Sequence, residues 1–554
     1  MRSPKLKFFL GVLLSVVLVI GLFTGCSGGG GKQAAGDTDK VAETKKSQET
    51  SKGEDGKTKS SSEPVEISYW AATSPESVDV DPENMEIYKL VEKKTNVDIQ
   101  WIHIPRDKEQ EQFELMISTN KLPDVIFSKW SNYGPDKAME DEIIVPIDDI
   151  ISQYAPNLKK LLDGNPDVTL DESPDMSRDL KTDSGHYYIF PYVKGLELFD
   201  RVTSNGLQMR KDWLEDLGLE APKTIDDWYN TLKAFRDQKD AMIPFAMSLD
   251  RLGFITSAWG FDMKKFNVKD KKIFYPPIEP EYKEALDTFR KWSDEGLLVF
   301  DPEKLDDFTK KIVSGAIGAW QHSPGMYVKE GKATDPNFDV IAVQNPVVNE
   351  GETPHIFPRW PCEGRGAAVS AQCPKDKYEA IGRWMDFAYS EEGYILDNFG
   401  IEGKQYTIVN DKIMPADIMY KEEPDGLTLD QYMRRHFRPK NAPGPYMNGG
   451  QRHYLHEDAL NKDKNYPYMD QAAEAWGNGD PSGTMPLLYL TSEEAKVIDN
   501  YSGMTTYVSD MLNKFISGEE SLDNFDKYVE EAKRLGADKV VSIYQSALDR
   551  YYAR

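Results

Sequence analysis

The sequence predicts an α/β protein built on doubly wound sheets, and three observations predict it. From Val65 to Phe127, period-two apolar runs alternate with runs of helical spacing. A second set of helices and short strands begins near Leu207. The 554 residues are 39% hydrophobic and 11% aromatic, enough for sizeable cores, and the length fits roughly three to four domains or two large α/β lobes equally well.

The elements follow in order. Val65-Glu66-Ile67-Ser68-Tyr69 alternates as a strand, and Met85, Tyr88 and Val91 fall at helical spacing. Val97-Asp98-Ile99-Gln100-Trp101 alternates again. A Lys/Glu/Gln-rich helix carries Phe113, Met116 and Ile117, and Leu122 to Phe127 reads as a short buried strand. Ligands of such β-α-β-α-β sheets bind beyond the carboxyl ends of the strands. The turn Ala71-Ala72-Thr73-Ser74-Pro75 has no Gly-rich phosphate cradle, which disfavours a dinucleotide.

In the second set, Met209 to Leu217 reads as a helix ended by Gly218. Thr224 is a good N-cap, Asp227 supplies a partial capping box, and Trp228, Leu232 and Phe235 form the buried stripe. Tyr282, Ala285, Phe289 and Trp292 share one helix face that stops at Gly296. Short strands are expected at 316–320, 340–343 and 367–370, then a helix with Tyr378, Ile381, Trp384 and Met385. The C-terminus closes with amphipathic helices, the last bearing Val540, Ile543, Ala547 and Tyr551.

Charge excludes one class of partner. With 67 Lys and Arg against 93 Asp and Glu the net charge is −26, a field that repels phosphate backbones, so no nucleic-acid partner is expected. Seven histidines and three cysteines argue against a metalloprotein or a disulfide framework. His453 and His456 match no zinc motif, and neither Arg236–Pro244 nor Asp79–Asn84 has the donors and Gly of a calcium loop. No metal and no cofactor are expected. Cys362 and Cys373 fit a disulfide and two buried thiols equally well.

The first residues address the chain. Arg2, Lys5 and Lys7 precede an apolar stretch from Phe8 to Phe23, the pattern of a secretory signal over 1–25. Leu22-Phe23-Thr24-Gly25-Cys26 resembles a bacterial lipobox, which implies lipidation of Cys26 and attachment to the outer face of the cell membrane. Residues 26–64 are rich in Gly, Ser, Lys and Glu and lack aromatics, so they are expected to form a disordered linker of about 35 Å typical span.

Several segments carry a family resemblance. Asn96-Val97-Asp98-Ile99, Lys121 to Ile126, Met209 to Leu214, Pro222 to Trp228 and Trp292 to Leu297 resemble the extracellular solute-binding proteins of ABC importers. Tyr389 to Tyr394, Asn398 to Gly403 and Ser542 to Tyr551 narrow the match to the large family 1, carbohydrate-type lipoproteins. The resemblance runs from about residue 65 to the end. It implies a periplasmic-binding-protein-like fold of type II, two doubly wound α/β lobes joined by a hinge. The expected lobes are 65–200 with 340–440, and 201–339 with 441–554, which includes the C-terminal helices.

Sugar sites combine flat aromatic rings with carboxylate, amide and guanidinium partners. Aromatics at strand ends and in loops are therefore the ligand candidates: Trp70, Trp130, Trp259, Trp320, Trp360 and Tyr446, with Asp124 and Arg359 as polar partners. The expected activity is binding without chemistry: an oligosaccharide or other polar solute, held by a monomer and delivered to the transmembrane subunits of an ABC permease. A surface-anchored carbohydrate-active enzyme and a sugar-sensing partner of a membrane kinase are the alternatives.

Overall fold

A computed structural model describes residues 63–73, 84–164, 176–202, 204–300, 307–417, 446–447, 449–462 and 466–554. The expected signal sequence, Cys26 and the expected linker up to residue 62 lie outside the described residues. Strands β1 (Val65–Thr73), β2 (Val97–Pro105), β3 (Val125–Lys129) and β4 (Phe190–Val193) come first. They are followed by β5 (Gly206–Arg210), β6 (Ile243–Met247), the hairpin β7 and β8 (Asn267–Lys269, Lys272–Phe274) and β9 (Leu298–Phe300). Then come β10 (Ile317–His322), β11 (Val340–Ala342), β12 (Arg365–Val369), the hairpin β13 and β14 (Tyr406–Val409, Lys412–Pro415) and β15 (Tyr446–Met447).

Two mixed sheets organise these strands: β15-β4-β12-β3-β1-β2 and β11-β5-β10-β6-β9. Each has one reversed strand, β12 in the first and β5 in the second. These are the strands the chain enters immediately after passing from one sheet to the other. The passage from β4 to β5 (residues 194–205) leaves the carboxyl end of a forward strand, so β5 starts at that end and runs back. Residues 343–364 return the chain to β12 in the same way. Because β11 pairs with β5 and β15 with β4, Val340–Ala342 belong to the second sheet and Tyr446–Met447 to the first, so the expected exchanges at 340 and 441 both come too early.

Side-chain alternation explains how the first sheet is buried on both faces. Tyr69 packs on Trp101 and on Trp384 of helix Tyr378–Phe387, with ring centroids 5.0 and 5.4 Å apart. Its neighbour Trp70 points to the other face and meets Phe113 of helix Glu109–Thr119 at 6.1 Å. In the second sheet, Phe245 of β6 meets Trp228 at 5.2 Å. Trp228 belongs to helix Ile225–Gln238, where Asp227 N–H donates to Thr224 Oγ1 (3.0 Å) and Thr224 N–H to Asp227 Oδ2 (2.9 Å), the reciprocal capping box. Helices Ser502–Ser517 and Phe525–Arg534 add Met504, Val508, Phe515 and Tyr528 to this core.

One element differs from expectation. Met209 and Arg210 belong to β5, and the helix begins only at Lys211, ending as expected at Gly218 with φ +64°. The apolar pair Leu207 and Met209 fits strand and helix spacing alike, and pairing with both β10 and β11 decides the matter. Cys362 and Cys373 are free, buried thiols. The last helix, Ala537–Ala553, starts on the second core through Val540 and ends against the first. There Tyr551 Oη donates to the buried Asp179 (2.7 Å), and Arg550 and Arg554 both pair with Asp183. No described helix is long and apolar enough to cross a membrane.

Candidate functional site

The two passages between sheets meet side by side. Arg201 Nε donates to the Arg359 carbonyl (2.7 Å), and Arg359 N–H to the Arg201 carbonyl (3.3 Å). Residues 354–360 also bond to the stretch after helix Tyr466–Gly477: Ile356 N–H reaches the Asp480 carbonyl at 3.0 Å, and Trp360 Nε1 donates to the Met485 carbonyl. Pro354, Pro358 and Pro361 keep this run extended, which leaves the intervening side chains free to project.

They project into a cavity of about 360 Å³. Its walls include Arg201, Asn205, Phe357, Arg359 and Trp360 from the passages, with Glu363 just ahead of β12. Asp250, Arg251 and Phe254 follow the carboxyl end of β6, and Asp262, Lys265, Phe266 and Asn267 come from the loop into β7. Trp476, Thr484 and Met485 complete the lining. Arg365 of β12 lies opposite Lys129, the last residue of β3, so Glu363 also stands at a carboxyl strand end. The cavity thus occupies the position open α/β sheets reserve for ligands.

Local structure holds this lining rigid. The Asn267 side chain accepts from Asp262 N–H (2.8 Å) and donates to the Asp262 and Lys265 carbonyls (2.9 and 2.7 Å), pinning the loop. Trp476 donates to the Leu207 carbonyl (3.1 Å), and its ring lies 2.3 Å from where a Cβ on Gly206 would be, so β5 must begin with glycine.

The electrostatics are uneven. Each lining carboxylate has a lysine partner: Asp250 with Lys264 (2.6 Å), Asp262 with Lys265 (2.7 Å) and Glu363 with Lys194 (2.5 Å). Burial holds the Lys194 ammonium below its usual range; Glu363 opposes this, while the positive charges of Arg359 and Lys129 add to it. Arg251 and Arg359 are exposed and form no ion pair among the described residues. Asn205 Oδ1 and Thr484 Oγ1 are shielded from solvent and have no hydrogen-bond partner among the described residues. Among the described residues no cluster of three or more His, Cys, Asp or Glu could hold a metal ion.

Of the residues singled out in the sequence, Arg359 and Trp360 line this cavity. The others sit elsewhere. Trp130 and Trp320 are fully buried in the cores, Trp130 edge-on to Phe113 (5.5 Å) and Trp320 to Tyr327 (6.2 Å). Trp70 is 3% exposed beneath a shallow groove beside helix Glu109–Thr119. Trp259 is half-buried against the second core, just past the lining residue Phe254. Tyr446 contributes its backbone to β15. Asp124 stands at the amino end of β3, accepting from Ser68 N–H (2.8 Å), Ser68 Oγ (2.9 Å) and Lys377 Nζ (2.9 Å). Burial alone would raise its carboxyl pKa, but these bonds outweigh burial and lower it. The lining residues that sequence reading missed, among them Arg201, Arg251 and Thr484, carry no local motif.

The family model described as bacterial extracellular solute-binding protein matches residues 81–395. The fructooligosaccharide ABC transporter substrate-binding protein FusA of Streptococcus pneumoniae serotype 4 is 24% identical, over 88% of this chain and 90% of its own. The polygalacturonan/rhamnogalacturonan-binding protein YtcQ of Bacillus subtilis is 22% identical over 83% and 87%. A solute-binding protein from Bifidobacterium longum infantis, described as HMO binding, superposes with a TM-score of 0.68 at 18% identity, covering 89% of this chain and 99% of that one. The chain belongs to the bacterial extracellular solute-binding protein family and has its type II, periplasmic-binding-protein-like fold.

Proposed function

We propose that this protein captures an oligosaccharide in the cavity between its sheets and delivers it, chemically unchanged, to the transmembrane subunits of an ABC importer. The observation that carries this reading is the convergence of Phe254, Phe357 and Trp360 with guanidinium, amide and hydroxyl groups that have no ion-pair or hydrogen-bond partner for those atoms among the described residues, in one cavity at the carboxyl strand ends. Aromatic faces suit the C–H patches of sugar rings, and the polar groups suit their hydroxyls. Arg359 and Trp360 are the ligand contacts we put forward first. Family membership and relatives named for several different saccharides support the class of guest.

In this reading one lobe carries β1–β4, β12 and β15 and the other β5, β6 and β9–β11, so the return to the first lobe lies past 342 and the last exchange past 447. The lining comes from both sides, so a guest touching both favours the closed arrangement, and closure is the shape the permease reads. Cleavage before Cys26 and lipidation of its thiol would tether the monomer to the outer face of the membrane.

Calorimetric titration against a glycan panel, with chromatography of the recovered sugar, tests the proposal. Saturable binding with intact sugar is the expected result. Turnover that vanishes on changing Asp250, Asp262 or Glu363 would instead make the protein an enzyme.

A further inference from the structure

We propose that the cavity selects saccharide chains bearing carboxylates, with Arg251 and Arg359 reading the acidic group. The inference rests on the oligosaccharide-binding reading above and specifies its substrate class. It starts from a contradiction of sign. The chain carries a net charge of −26, a field unfavourable to anions at long range. The cavity departs from that average, because Asp250, Asp262 and Glu363 are each neutralised by a lysine. What remains is positive: two exposed guanidiniums that form no ion pair among the described residues.

Closure makes this imbalance selective. Shutting the cavity over a neutral sugar would strip water from both guanidiniums and give them no counter-charge, a heavy desolvation cost. A carboxylate on the guest supplies that charge, and its geometry matches the guanidinium fork. The distant acidic surface does not cancel the attraction, because its field is screened over about 8 Å at physiological salt while the guanidiniums act at contact. Trp360, Phe357 and Phe254 still offer faces for the sugar rings, so the ligand is a uronate-containing chain rather than a small organic acid.

Calorimetry on the purified protein with oligogalacturonate, alginate oligomers, and the methyl ester of the galacturonate chain at equal length tests this. At least one acid chain should bind roughly 10- to 100-fold more tightly than the uncharged ester, the range of one charge-assisted contact or two. Arg359→Gln and Arg251→Gln should each weaken acid binding about tenfold, with a smaller loss for the ester, and Arg359→Lys should recover part of it. Unchanged melting temperatures would confirm that these exposed replacements leave the fold intact. Equal or tighter binding of uncharged chains would overturn the inference and leave the receptor reading standing. Unchanged acid binding in both glutamine variants would overturn the assignment of these arginines. If no saccharide of either kind binds, both readings fall.

Discussion

The two ends of the first sheet treat charge in opposite ways. At the amino end, Asp124 accepts three hydrogen bonds from Ser68 and Lys377, so donors and acceptor satisfy one another inside the protein. At the carboxyl end, where the chain passes to the second sheet, Arg359 reaches the cavity with no carboxylate partner among the described residues. Internal satisfaction marks a group that holds the fold together. A charge left unanswered at a ligand position marks one that waits for a guest.

The largest expected effect breaks the amino end. Asp124→Ala leaves the Lys377 ammonium and the Ser68 N–H without their shared acceptor and should cost about 3 kcal/mol in denaturant unfolding. Ligand affinity, measured where the variant is folded, should stay within about twofold, since the lost contacts lie at the far end of the sheet. Trp360→Ala inverts that outcome. It removes a ring from the cavity wall and should weaken saccharide binding about 30-fold, roughly 2 kcal/mol, while lowering stability less than the Asp124 change.

A pH series sharpens the contrast further. The folded carboxyl of Asp124 titrates below its unfolded counterpart, so it adds stability above the ordinary carboxylate pKa and loses it as pH falls through the lowered value. Asp124→Asn should therefore flatten the acid limb of the stability curve relative to the parent protein. The smallest effect serves as a control. Lys137 and Asp141 form an exposed i,i+4 pair, and Lys137→Ala should change unfolding by less than about 0.5 kcal/mol and leave affinity unaltered.

Much of this architecture is legible in the sequence. The run from Val65 to Phe127 announces its strands and helices by period, and Thr224, Asp227 and Trp228 announce a cap and its buried stripe. Position relative to a cavity is harder to read. In the sequence Trp320 reads as the end of a short strand, just as a ligand-facing residue would, yet β10 continues to His322, and Tyr327 and the neighbouring helices cover the ring. Asp124 beside a strand looked equally available until Lys377, 253 residues away, proved to be its partner. Arg359 and Trp360 gave a local signal because flanking prolines prevent their burial in a helix. Arg201, Arg251 and Thr484 gave none, since only the crossing of the chain between sheets brings them together.

Solution X-ray scattering of the purified protein, with and without a saturating saccharide, tests most directly whether two sheet-bearing halves close on a guest between them. Closure gives a smaller radius of gyration at saturation, and Trp360→Ala should need about 30-fold more sugar for the same contraction. A saturated complex whose scattering profile matches that of the free protein would contradict it.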